Sequence, residues 1–164
     1  MTGSERVVLT QALATSRKHV LSQLEGLSPE QLRTPVAPSR WTPLGLVRHL
    51  TLSDERYWFQ VVIAGRPLDF WPEGHNGDWL VGDHEPAEAV IAAYAEAIAD
   101  ADAIIATRNL DSPPASPDPG WEQAGLAFPD LRSVLVHVIV ETSVHAGHLD
   151  LVRELLDGHQ HIIL

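Results

Sequence analysis

The chain has 164 residues, no cysteine and a formal net charge of −11, with 11 Lys+Arg against 22 Asp+Glu. That length fits a single domain over residues 1–164 with a core of its own. The acidity, unbroken by any basic stripe, argues against nucleic acid as a partner, and the missing thiol removes disulfides, thiolate metal ligands and a cysteine nucleophile together.

No apolar run approaches about 18 residues, and the first turns mix acid with base, so a cytoplasmic protein with no membrane partner is expected. Helical spacing then dominates the chain. Val8, Leu9, Leu13, Val20, Leu21 and Leu24 predict a first helix over about residues 4–26, stopped by Gly26. Ser28-Pro29 starts a short helical turn, and Thr42-Pro43 starts a second long helix that runs from Leu44 through Ile63 to Gly65. Glu85-Pro86 opens a third, in which Val90, Ile91, Tyr94, Ile98, Ala101 and Ile105 form the apolar stripe. The last and longest is expected from Leu131 to Asp157, ended by Gly158.

Segments 66–84 and 107–129 are rich in Pro, Gly and Asp and show no period-2 alternation, so the fold class is all-α, a four-helix bundle with two long loops. Connections of that length in a compact domain usually serve a purpose. They carry Trp71, Trp79 and Trp121, which either wall a pocket at one end of the bundle or plug that end.

The chemistry concentrates on the last helix. His137, Glu141, His145 and His148 fall within about 80° of one another on an α-helix and form one stripe of candidate ligands. Glu141 and His145, one turn apart, can reach a single cation. A catalytic metal site usually takes three protein ligands and keeps a position open, so a third must come from elsewhere in the fold. His49, mid-helix among Leu46, Val47, Leu50 and Leu52, is the natural donor, because an unpaired imidazole there is costly. Arg56, seven residues on, should face nearly the same way on an α-helix, either to hold a substrate anion or to pair with a carboxylate such as Asp54. Ser53 shares the His49 face. His75 and His84 lie in a loop, and His159 and His161 follow the C-cap glycine as a tail.

A second-helix histidine in a Leu-Val-Arg-His-Leu context, followed late by Glu141-x-x-x-His145-Ala-Gly-His148, resembles the DinB-like superfamily. The resemblance runs from about Ser28 to Gly158 and is nearest to the branch that includes mycothiol-dependent maleylpyruvate isomerase. It implies a DinB-like bundle whose divalent metal is held by His49, Glu141 and His145. Glutamate at position 141 matches that branch, where many other members have histidine. His148 matches a place where a non-ligand polar residue is common; with His137 it is assigned to orienting the ligands, and it is the first replacement should Glu141 not bind.

Two imidazoles and a carboxylate suit zinc, with nickel or iron as further candidates. The resemblance also implies a homodimer and a low-molecular-weight thiol as cosubstrate, which binds the metal as thiolate and attacks a small electrophile. The expected activity is therefore a thiol S-transferase or isomerase, set beside a non-catalytic metal-binding or stress-related dimeric scaffold. Di-iron bundles need Glu-x-x-His twice and zinc proteases need His-Glu-x-x-His, and neither spacing occurs.

Overall fold

The computed structural model describes residues 2–161. Its helices are α1 (Thr2–Leu24), α2 (Pro29–Leu32), α3 (Pro43–His49), α4 (Ala87–Ala106), α5 (Gly120–Gln123) and α6 (Leu131–Asp157). From His49 the helix α3 continues without a break into a run of wider turns, Leu50–Ile63. That joined helix forms a four-helix bundle with α1, α4 and α6, and no strand occurs among the described residues. No helix of the described residues is long and apolar enough to cross a membrane.

Local chemistry sets the helix ends. Ser28 caps α2 through a reciprocal pair with Gln31, the Thr42 hydroxyl accepts from the Gly45 N–H, and Asp130 and Ser133 form the same reciprocal box at the start of α6. At the far end of α6, Gly158 takes the left-handed conformation, φ +78°, and turns the chain back toward the bundle.

The apolar core is divided into two. One part gathers Leu13, Phe59, Val62, Ile104, Leu131, Leu135 and Val138; the other gathers Val20, Leu44, Leu46, Leu50, Val90, Tyr94 and Leu149. Between them lies a buried polar belt. Arg17 of α1 donates two hydrogen bonds to Glu55, 2.7 Å from Nε to Oε1 and 2.5 Å from Nη2 to Oε2, and a third of 2.7 Å to Asp102 of α4. Glu55 is fully buried and Arg17 nearly so. Burial pushes the Glu55 carboxyl up, against the opposing pull of Arg17. The pair therefore ties three helices together at a level where apolar packing is interrupted.

The wider turns change which residues share a face. The Ala64 N–H bonds to the Phe59 carbonyl, five residues back, at 3.0 Å, and the run Leu50–Ile63 is π-helical. Such turns advance about 80° per residue in place of 100°. From His49, Ser53, Asp54 and Trp58 then fall within about 40° of the same direction, whereas Arg56 lies about 160° away. An α-helical register would have turned Asp54 and Trp58 from His49 and brought Arg56 toward it.

Candidate metal-binding and substrate site

His49 is the last α-helical residue before the winding changes, and the loop after the joined helix returns to it. In that loop Gly77–Trp79 forms a single tight turn, which Asn76 enters with a left-handed φ of +57°. The backbone of this turn sits against α3 because position 45 is glycine: a Cβ there would collide with the Trp79 carbonyl oxygen. Two side chains of the turn thereby reach His49. Asp78 lies 2.6 Å from His49 Nδ1, and the Trp79 ring stacks on the imidazole with centroids 4.2 Å apart and planes 16° from parallel. The carboxylate holds a proton on Nδ1 and leaves the Nε2 lone pair free, the arrangement that usually orients a metal-ligating histidine.

Facing it from α6, the His145 ring stands edge-on, 5.1 Å from the His49 ring. His145 is 9% exposed, and its Nδ1 is buried without a hydrogen-bond partner. Burial, reinforced by His49 and His148, lowers its pKa to about 4, so the imidazole is neutral near pH 7 and offers a lone pair. A buried nitrogen left without a hydrogen-bond partner costs about 1–3 kcal/mol, and coordination to a cation would use its lone pair. The donor set thus fits a divalent ion.

A cavity of about 550 Å³ opens beside these rings, lined by His49, Ser53, Asp54, Tyr57, Trp58, Trp71, His137 and Glu141 among others. Its size suits a small molecule. Ser53 therefore lies where the shared face predicts, and Glu141 borders the same space. Asp54 is buried on its wall and accepts a 3.2 Å hydrogen bond from the Thr142 hydroxyl. Burial first, then the charge of Glu55, raises its pKa well above the usual carboxylate range.

The stripe on α6 divides among three environments. His145 faces His49. His137 packs edge-on against Trp58 and Phe128, with ring centroids 4.5 and 4.9 Å away, and burial keeps it neutral against the pull of Glu141. His148 is exposed, 5.5 Å from the His145 ring and 6.3 Å from Trp41. Among the described residues, the three donors whose ligand atoms all lie within 4.8 Å of one another are His19, Asp150 and His161, and those of His49, Glu141 and His145 are spaced more widely.

Arg56 does not line the His49 cavity. It borders a separate one with Arg48, Phe70 and Glu85, its guanidinium 5.7 Å over the Phe70 ring, and Asp54 turns the other way into the site. The π winding is the reason. The loop tryptophans wall the pocket end of the bundle: Trp79 lies on His49, Trp121 stacks on Trp58 at 5.5 Å, and Trp71 lines the cavity beside Tyr57. His161 is no free tail residue either, since its ring stacks on His19 at 4.0 Å.

The sequence pattern assigns no role to Asp78, and Asp54, one of the carboxylates open to pairing with Arg56, lines the His49 cavity with no ion pair to Arg56 among the described residues. Nothing in the spacing separates Asp78 from its loop neighbours Asp69 and Asp83; the one available signal was Gly45, a glycine inside a helix that marks a close backbone approach.

Comparison with known families bears on this geometry. The family model described as Mycothiol-S-transferase matches residues 8–158, which contain every residue of the site. No curated protein and no solved structure matches the chain.

Proposed function

The chain belongs to the mycothiol-S-transferase family, and on that premise we propose that it joins a low-molecular-weight thiol of the mycothiol type to a small electrophile, or isomerises the electrophile through that thiol. The site is a divalent ion, zinc by preference, held by His49, His145 and Glu141. The observation that carries this reading is the meeting of two imidazoles from α3 and α6, rings 5.1 Å apart, beside a cavity in a chain without cysteine. The nucleophilic sulfur must therefore come from outside.

An ion so bound lowers the pKa of a thiol enough to make it a thiolate near neutrality. The protein supplies the rest. Burial keeps His145 neutral, Asp78 and the stacked Trp79 fix the His49 ring, and Trp58 and Trp71 shed water from the cavity that an acceptor would enter. Asp54 lies on the cavity wall, where burial favours its protonated form, and in that form it would donate to a carbonyl or carboxylate on the electrophile. A second copy of the chain is the proposed cover for Val136, Val140, Val144, Leu151 and Leu155, which line the outer face of α6 and stand about half exposed or more.

The test is thiol transfer by chelator-stripped protein before and after reloading with Zn²⁺, with mycothiol and a fluorogenic electrophile as substrates. Reloaded wild type should turn over, and His145→Ala should not. Equal rates from stripped and reloaded wild type would sink the proposal. Light scattering at twice the chain mass would support the second copy.

A further inference from the structure

A second group of donors lies away from the cavity, on the seam between α1 and α6. His19 of α1 places Nε2 2.7 Å from Asp150 Oδ1 of α6. After the left-handed turn at Gly158 the chain runs back over this seam, and the His161 ring lies on the His19 ring, centroids 4.0 Å apart and planes 27° from parallel. One ligand atom from each of the three residues lies within 4.8 Å of the other two.

We propose that His19, Asp150 and His161 form a second divalent-cation site, for zinc or a neighbouring first-row ion, which clasps the segment after α6 to the bundle. Neither the family match, which stops at residue 158, nor the chemistry of the cavity assigns any role to this group.

The donor chemistry and the spacing both fit. Two imidazoles with one carboxylate select Zn²⁺ or similar ions over calcium or magnesium, which prefer all-oxygen shells. Tetrahedral zinc with bonds of about 2.0–2.2 Å separates its ligand atoms by about 3.4 Å, so closing the observed spacing asks each atom to move by about 1 Å or less. The side chains of His19 and Asp150 are 18% and 25% exposed, which leaves room for a water as fourth ligand.

Gln23 adds an independent sign. One turn along α1 from His19, its Nε2 lies 3.4 Å from His161 Nδ1, while its Oε1 is buried with no hydrogen-bond partner. An amide turned over at this place would let that oxygen accept from an Nδ1–H, the support that a ligand imidazole bound through its other nitrogen needs. The ligands come from three separate segments, so an ion here does what neither hydrogen bond nor ring stack can do alone. It crosslinks α1, α6 and residues 158–161.

The experiment is a Zn²⁺ titration of chelator-stripped full-length protein, followed by NMR of the histidine ring signals. Signals from His19 and His161 should move together and saturate at one equivalent for that pair. In His161→Ala, which changes nothing inside a helix, the His19 response should need about tenfold more Zn²⁺ or greater; Asp150→Asn should weaken it as well. Movement of His161 without His19 would mean chelation by the segment alone and would overturn the site, as would an unchanged His19 response in His161→Ala. The readout follows named rings, so it stands whether or not the cavity residues bind an ion.

Discussion

Two sides of α6 present metal-capable side chains, and they are built in opposite ways. On the seam with α1, His19 bonds Asp150 and stacks on His161, and the ligand atoms of all three lie within 4.8 Å of one another. At the cavity, His49, His145 and Glu141 stand farther apart, walled by Trp58 and Trp79, with empty space alongside. A group that only has to hold an ion gains from convergence, because each contact adds to the clasp. At the cavity, separate protein groups fix the individual rings in place of direct contact among the donors. Asp78 on His49 and burial of His145 are those fixings.

The sharpest way to break this contrast is His49→Ala. Transfer should fall by about 10³-fold or more in kcat/KM, equivalent to about 4 kcal/mol, while Zn²⁺ still moves the His19 and His161 signals. A joint loss at both places would show that the two are one site. Next in size, Glu55→Ala should cost about 3–5 kcal/mol in denaturant unfolding because it strands Arg17 in the buried belt.

Weakening the support around His49 should have an intermediate effect. Asp78→Asn should lower Zn²⁺ affinity at the cavity by about 10–100-fold with the seam unchanged. Gly45→Ala should do likewise by pushing the Trp79 carbonyl away from α3, although it alters no polar group. Competition with a chelating dye reads both.

Asp54 sharpens the electrostatic side. Its pKa is higher in the folded protein than the ordinary 3.8, so the unfolded chain sheds that proton first as pH rises. Folded stability from this residue is complete below about pH 4 and is lost upward through the folded-state pKa. Asp54→Asn should therefore raise the melting temperature relative to wild type at pH 8, and the gain should vanish near pH 4. The smallest effect is expected for Arg56→Ala. Loss of its contact with Phe70 should cost about 0.5–1 kcal/mol, with transfer activity unchanged.

Much of the architecture was legible from local signals. Ser28, Thr42 and Asp130 cap helices where capping chemistry requires it, and Gly26 and Gly158 end them, since these effects act within a turn of the chain. The juxtaposition of His49 with His145 was legible too, because an imidazole on an apolar helix needs a partner and the α6 stripe offered one. Their role as ligands with Glu141 remains the proposal tested above.

What escaped depended on winding or on distance along the chain. A count of 100° per residue puts Arg56 on the His49 face, whereas over Leu50–Ile63 the advance is nearer 80°, which exchanges Arg56 for Asp54 and Trp58 at the cavity. Asp78 reaches His49 only because a loop folds back onto a glycine 33 positions before it, at Gly45. His161 meets His19 across 142 positions, through a reversal at Gly158. By itself the sequence determined an all-α bundle, its caps and the residue types able to hold an ion, because periodicity and capping are local. Which of those residues meet, and which carboxylates stand behind them, was decided by the tertiary structure, because helix winding and loop return are set by packing across the whole bundle.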